Sequence, residues 1–356
     1  MTVPAPKPRA RDLGLPFPGT PGPLNAITDV AGVAVGFTTL TDPAQKMRTG
    51  VTAVIPRPGR EARPVMAGQA TLNGNGEMTG THWINDAGYF LGPVCITNTH
   101  GIGAVHHGAV RWMIDTYAEH FAGHAWAMPV VAETYDGILN DINAMFVTPE
   151  HAIAALQSAA SGPVAEGSTG GGNGMIAYEF KAGTGTSSRR VTVGGEVLTV
   201  GVLVQANHGL RRWLTILGQP IGQRMPEGAF RSAEMGSIIV VIATDAPLSA
   251  LALRHVARRA ALGLARGGTP GGNSSGDIFL AFSTADIGPM PQKAGARLVR
   301  EELNMDGLDP LYLGAVEAVE EAVVNALVAG VDVPVVKPQG KICRAIDTER
   351  LRQIFA

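Results

Sequence analysis

The chain has 356 residues, 45% of them apolar and only 16% charged, with 46 glycines and a formal net charge of −2. This length allows one large domain or two with a substantial core, and the composition is that of an α/β protein with many tight turns, not of a disordered or fibrous chain. A near-neutral balance with no long basic run excludes a nucleic-acid footprint and an anionic-membrane anchor, no apolar run reaches membrane-spanning length, and so few charges imply surface buried between subunits.

Residues Met1 to Arg11 are rich in proline and base and lack an apolar h-region, so no secretory signal is expected and the chain reads as cytoplasmic. Pro4, Pro6, Pro8, Pro16, Pro18, Pro21 and Pro23 predict an extended arm that lies on a neighbour and is suited to wrap another subunit. Valine-rich runs predict strands over Val30–Phe37 and Val51–Ile55. The dense glycine-asparagine segment from Asn73 to Gly80 and the loop Thr97-Asn98-Thr99-His100-Gly101 read as turns. A helix is expected from near Val105, carrying Val110, Met113 and Ile114, and Pro129-Val130-Val131 leads into the turn Glu133-Thr134-Tyr135-Asp136-Gly137. Another helix covers Pro149–Ser158 with Thr148 as its N-cap. Val191–Val193 and Val197–Val200, separated by Gly194-Gly195-Glu196, read as a hairpin, and Gly201–Asn207 as a strand ending in polar groups. Leu210 to Met235 has little periodicity and is expected to be a surface loop. Downstream, Ser237–Thr244 is a β-branched strand, and Pro247–Arg266 is a helix with Arg254, Arg258 and Arg259 outside and Leu251, Val256, Ala260 and Leu264 packed. Gly267-Gly268 stops that helix before the strand Asp277–Ser283, and a final helix starts with Asp309 as N-cap and Pro310, its stripe formed by Val316, Val319, Val323 and Leu327.

The chemistry gathers around Gly236-Ser237. Glycine tolerates a twisted backbone and lets a hydroxyl approach its carbonyl, so the bond is a candidate for self-cleavage that would leave Ser237 with both a hydroxyl and a new amine. The same dipeptide before a strand also suits an ordinary turn. Strand-helix-strand order makes the strands at Ser237 and Asp277 parallel, so both begin at one edge of a sheet, with Ser275 and Asp277 two residues apart. Asp277 could equally cap the turn after Asn273-Ser274-Ser275-Gly276. Asn207 is a candidate oxyanion donor because a side-chain amide has no proton to lose, although an amide at a strand end is also a turn former.

Together these residues resemble the DmpA-like family of self-processing aminopeptidases, which includes the L-aminopeptidase/D-amidase-esterases and the β-aminopeptidases. The likeness spans nearly the whole chain: Asn25-Ala26-Ile27-Thr28-Asp29-Val30, Asn73-Gly74-Asn75-Gly76-Glu77, Thr97-Asn98-Thr99, Glu133-Thr134-Tyr135-Asp136-Gly137, Gln205-Ala206-Asn207, Gly236-Ser237-Ile238-Ile239-Val240-Val241 and Ser275-Gly276-Asp277-Ile278. It implies a four-layer αββα sandwich in a single catalytic domain, 1–356, cut after Gly236 into an α-subunit (1–236) and a β-subunit (237–356), and assembled as a tetramer of α/β heterodimers. It implies Ser237 as nucleophile, Asn207 in the oxyanion hole, Tyr135 lining the site, Glu133 holding the substrate's ammonium, and Ser275 with Asp277 assisting. The aspartate at 277 is shorter than a glutamate would be, which puts its reach in question. Glu133 could instead only brace the Tyr135-Asp136-Gly137 turn. The substrate is then a short peptide, amide or ester with a free amino terminus.

Two other functions compete. Ornithine acetyltransferases have a related fold but cleave before threonine, which Gly236-Ser237 disfavours. A phosphate- or nucleotide-binding protein could use Gly170–Gly174 or Gly267–Gly272, yet neither run has the flanking residues of a phosphate cradle. His100, His106 and His107 cluster near Asp86, but adjacent histidines cannot face one ion from a regular helix. No metal or cofactor is expected. Cys95 and Cys343, the only cysteines, read as buried free thiols.

Overall fold

A strand that is apolar at every position must be covered on both faces. Ser237–Thr244 is buried along its whole length, and its side chains divide by parity: Ile239, Val241 and Ala243 join Val54, Ile96 and Val130, whereas Ile238, Val240 and Ile242 join Leu253, Val256 and Val319. The first group fills the space between two sheets, and the second seats helices on the outside. This arrangement comes from a computed structural model that describes residues 7–356.

In chain order the strands are β1 (Ala34–Asp42), β2 (Met47–Ile55), β3 (Val65–Gly74), β4 (Tyr89–Phe90), β5 (Val94–Asn98), β6 (Val130–Thr134), β7 (Ile176–Ala177), β8 (Phe180–Lys181), β9 (Gly183–Val193), β10 (Glu196–Asn207), β11 (Ser237–Thr244) and β12 (Gly276–Ser283), followed by the short β13 (Val333–Pro334) and β14 (Ile342–Cys343). The helices are α1 (Thr81–Ala87), α2 (Ile102–Thr116), α3 (Ala118–Phe121), α4 (Pro149–Gln157), α5 (Ile221–Arg224), α6 (Ala250–Arg266), α7 (Asp309–Val328) and α8 (Thr348–Phe355). One sheet has the order β4-β3-β12-β11-β10-β9 and the other β1-β2-β5-β6. Helices α6 and α7 cover the six-stranded sheet, and α2 and α4 cover the four-stranded one. The architecture is the expected αββα sandwich.

Local chemistry explains most elements. Gly194 and Gly195, both at positive φ (60° and 89°), form the two-residue turn between β9 and β10, whose right-handed strand twist requires that conformation. Thr148 caps α4 in a capping box with His151, and Gly268 at φ 89° ends α6. β11 and β12 run parallel through the crossover α6, as the strand-helix-strand order requires.

Four expectations need correction. The proline-rich arm, where described, lies on its own chain: Ala10 is buried with its amide donating to Asn325 Oδ1 (3.1 Å), Arg9 pairs with Glu166 (2.8 Å) and Arg11 with Glu321 (2.9 Å). Pro4 and Pro6 lie outside the described residues. The stretch from Leu210 to Met235 is a surface loop only in its second part, Pro226 to Met235, because Leu210, Leu214, Ile216, Ile221 and Met225 are buried together with Arg211. That guanidinium lies 3.2 Å from the Phe180 ring centroid and donates to the carbonyls of Tyr178, Glu179, Met225 and Glu227, so the loop is wound about a cation. Leu251 is exposed on α6 instead of packed. Helix α7 is buried nearly all round instead of along one stripe, with Glu317 and Glu321 neutralised by Arg189 (3.3 and 2.7 Å), and α8 follows it.

Candidate active site

Strand register brings the polar strand ends together. Antiparallel pairing sets Asn207, the last residue of β10, opposite Ser237, the first of β11, and parallel pairing sets Ser237 beside Gly276, the first of β12. Gly276 and Asp277 face Gly74 and Asn73 at the end of β3. From the other sheet, Glu133 and Thr134 end β6 next to Thr97 and Asn98 of β5.

Ser237 is 6% exposed, and Gly236 before it is buried as well, so exposure begins only at Met235. The Gly236-Ser237 pair is therefore less accessible than a surface loop would make it. The Ser237 hydroxyl donates to the Gly236 carbonyl (2.8 Å) and accepts from the Gly276 amide (3.2 Å). A Cβ at 236 would lie 2.1 Å from the Asn207 carbonyl oxygen, and one at 276 would lie 2.4 Å from that of Asn75, so close backbone approach demands both glycines.

Ser275 donates to Asp277 Oδ1 (2.6 Å), so the shorter aspartate does reach its serine. Asn73 holds the other carboxylate oxygen (3.0 Å), re-aimed by an irregularity in the β3–β12 register next to Asp277. Burial raises the Asp277 pKa and the nearby Glu234 charge adds to the rise, against the hydrogen bonds from Ser275 and Asn73. The pair stands beside Ser237 in register, while the Ser237 hydroxyl itself bonds to Gly236 and Gly276.

The Asn207 amide is oriented at both ends. Its oxygen accepts from the Ile176 amide and its nitrogen donates to the Tyr135 carbonyl, each at 2.9 Å, which leaves the second amide hydrogen free. Tyr135 thus joins the cluster through its backbone. Its ring is 40% exposed and lies over Gly137, where a Cβ would come 2.3 Å from the phenol oxygen. Glu133 is 4% exposed and accepts from the Glu77 amide (3.0 Å) and the Thr99 hydroxyl. Burial raises its pKa. A Cβ on Gly76 would sit 3.2 Å from Glu133 Oε1 and 3.3 Å from Gly276 Cα, which places this carboxylate across a narrow gap from the start of β12, the residue paired with Ser237.

Sequence reasoning left three supporting groups without a role. Asn73 sat in a motif read as a turn and as part of the family likeness, with no contact of its own assigned. Asp136, pushed up to about 6 by burial, accepts from Asn98 (3.0 Å) and Asn140 (3.1 Å) directly after Tyr135. Glu234 accepts from the amides of Gly209 (2.6 Å) and Gly272 (3.0 Å), and no periodicity could have signalled it. Among the described residues no group of three or more His, Cys, Asp or Glu side chains is placed to hold a metal ion. Gly170–Gly174 is a buried turn between the sheets, where Cβ atoms at 171 and 172 would come 2.2 Å from Gln205 Oε1 and the Thr184 amide. Its glycines serve close packing, which removes the argument for a phosphate cradle.

Residues 25–339 match the model of peptidase family S58. The chain belongs to that family. Beta-peptidyl aminopeptidase BapA of Sphingosinicella microcystinivorans is 51% identical over 346 residues, covering 90% of this chain and 86% of its own. The L-aminopeptidase D-Ala-esterase/amidase of Ochrobactrum anthropi, described as a prototype for the serine aminopeptidases and a variant of the Ntn-hydrolase fold, superposes with a TM-score of 0.93 at 56% identity over 98% of both chains. A Burkholderia sp. beta-aminopeptidase gives 0.88 at 44% identity, covering 97% of this chain and 98% of its own. This S58 member is accordingly a hydrolase, a serine aminopeptidase/amidase with an Ntn-type fold. The acetyltransferase alternative is set aside.

Proposed function

We propose that the chain cuts itself between Gly236 and Ser237 and then releases amino-terminal residues from short peptides, amides or esters through an acyl-enzyme on Ser237. The observation that carries this reading is the Ser237 hydroxyl held 2.8 Å from the Gly236 carbonyl oxygen, with Asn207 opposite Ser237 in the strand register. In the first step Oγ attacks the Gly236 carbonyl carbon and the peptide nitrogen leaves as the Ser237 amine, giving an ester. Water hydrolyses that ester and frees a Gly236 carboxylate. The new amine then takes the Oγ proton when the hydroxyl attacks substrate, Asn207 donates to the oxyanion, and the same amine returns the proton to the leaving group. Glu133 pairs with the substrate's ammonium, Tyr135 walls the site, and Ser275 with Asp277 steadies the proton inventory around the amine.

The mature enzyme in this reading is a cytoplasmic tetramer of α/β heterodimers. The assembly is supported by exposed apolar side chains on the outer helices, Leu251 and Leu262 on α6 and Leu313 on α7, and the compartment by two thiols left free and buried. No helix among the described residues is long and apolar enough to cross a membrane. The relatives named above extend the substrate range to β-peptides and D-alanine esters, and a panel of L-α-, D-α- and β-amino acyl p-nitroanilides ranks these for this chain. Intact-mass spectrometry of protein made without added protease tests the cut. Two fragments, 1–236 and 237–356, are expected, with Ser237→Ala remaining one inactive chain. A single full-length wild-type species, or a cut elsewhere, refutes it.

A further inference from the structure

Three residues ahead of Ser237 the chain is mostly exposed, with Ser232, Ala233 and Met235 in solvent, yet Glu234 between them is buried. Its two carboxylate oxygens are held by two different loops. Oε1 accepts from the Gly209 amide (2.6 Å), two residues after Asn207, and Oε2 accepts from the Gly272 amide (3.0 Å), three residues before Ser275. The second loop continues the linkage: the Gly272 carbonyl accepts from the Ser275 amide (2.9 Å) and from Asn73 Nδ2 (3.1 Å). Both anchor points are glycines for stated reasons. Gly209 has φ 83°, and a Cβ at 272 would lie 2.4 Å from Glu234 Oε2. A buried carboxylate is costly unless donors satisfy it, and two backbone N–H groups at these distances are charge-assisted bonds.

We infer that Glu234 is the positioning residue of the self-cleavage, pinning the acyl side of the Gly236–Ser237 bond to the loops that carry Asn207 and Ser275. The inference rests on the proposed cut and goes beyond it by naming what orients the bond. With Glu234 fixed, only Met235 separates the anchor from Gly236, so few backbone rotations can carry the Gly236 carbonyl away from the Ser237 hydroxyl. Holding reacting groups together in this way is worth rate because the orientation entropy is lost before the step. In turnover the acyl group arrives with the substrate, so the pin acts on maturation far more than on hydrolysis.

The test follows maturation and turnover separately in Glu234→Ala, Glu234→Gln and Gly272→Ala, with wild type and Ser237→Ala as references. Each full-length chain is made by cell-free translation, pulse-labelled, and followed by gel and intact mass, and the matured fraction is assayed on L-alanine p-nitroanilide. Glu234→Ala is expected to lengthen the cutting half-time on the order of tenfold or more, which corresponds to the loss of a charge-assisted bond. Glu234→Gln keeps one acceptor and slows the cut less. Gly272→Ala leaves the carboxylate in place but pushes it off its anchor, and slows the cut too. Matured Glu234 variants should keep kcat/KM within about threefold of wild type. If wild type cuts and these variants cut as fast, the inference falls alone. An equal loss of cutting and turnover also overturns it, because Glu234 would then brace the loops without orienting the bond. An uncut wild type removes the self-cleavage reading and this inference with it. Should Glu234→Ala fail to fold, Glu234→Gln and Gly272→Ala decide by the same criteria.

Discussion

Glu133→Gln changes one charge at nearly constant shape, so it isolates the role of the carboxylate. The group is 4% exposed, and its hydrogen-bond partners are the Glu77 amide and the Thr99 hydroxyl, both neutral. A substrate ammonium docking there supplies a positive charge in direct contact, which neither of these partners does. Losing such a charge-assisted contact costs about 1.5–3 kcal/mol, or roughly ten- to 150-fold in kcat/KM for free-amine substrates, chiefly through KM. Stability should move the other way. Burial raises the Glu133 pKa, so the folded protein holds this proton more tightly than the unfolded chain does. For such a group stability is fully present below the ordinary glutamate range and is lost as pH rises through the raised folded value. Glu133→Gln should therefore be at least as stable as wild type at neutral pH, with that gain vanishing in acid. Glu133 should contribute to the acid limb of kcat/KM a step above the usual glutamate range that the variant lacks, the step of the Ser237 amine remaining in both. Kinetics on L-alanine p-nitroanilide and its N-acetyl counterpart, with urea unfolding at two pH values, check all three. Equal loss on both substrates, or a wild type that hydrolyses the acetylated one as well as the free one, would falsify the ammonium role.

Asn207→Ala should lower kcat on the order of 10²- to 10³-fold while KM changes little, because an oxyanion donor acts mainly in the transition state; a change confined to KM in steady-state assays removes it from the oxyanion hole. The variant should also mature slowly, since both reactions pass through tetrahedral species. Lys181 is fully buried against the carbonyls of Gly172 (3.4 Å) and Ala182 (2.5 Å), and burial pushes its amine down to about 7. A lowered base binds fewer protons folded than unfolded, so wild-type stability should rise between about pH 7 and the ordinary lysine value of 10.5. Lys181→Met should thus be more stable than wild type at pH 6, by on the order of a few kcal/mol, with the difference shrinking by pH 9. Urea unfolding that finds the Met variant weaker at pH 6 contradicts the assignment.

How far the sequence was legible depended on whether local pattern or distant contact decided each element. The hairpin at Gly194-Gly195, the cap at Thr148 and the parallel β11–α6–β12 unit follow from nearest-neighbour chemistry and were readable. Strand β3 was not: its carboxy-terminal half carries the Asn73-Gly74 pair that reads as a turn, and only pairing with β12 makes it strand. Helix α7 looked amphipathic from its valines, but its buried Glu317 and Glu321 are reached by Arg189 and its Glu320 by Arg266, both far away in sequence. The part from Leu210 to Met225 failed as a surface loop for the same reason, since Arg211 donates to the carbonyls of Tyr178, distant in sequence, and of Glu227.

The site residues were legible as types because each lies at or beside the end of a strand, where the ladder stops and polar side chains become free to act. What could not be read is their electrostatic sum. Glu133 and Asp277 are both buried at this end of the sandwich, and every hydrogen-bond partner given above for them is neutral: the Glu77 amide, the hydroxyls of Thr99 and Ser275, and the Asn73 amide. Such a cluster costs folding free energy in the uncut chain, and the raised pKa values of Glu133 and Asp277 express that cost. Under the proposed cut the missing charge has two sources. The bond broken at Gly236 yields an amine on Ser237, and each substrate brings an ammonium of its own. An uncut chain would lack the first source, and an N-acylated substrate would lack the second. Glu133 and Asp277 thus favour the mature enzyme over its precursor and a free amino terminus over a blocked one, by the same physical term.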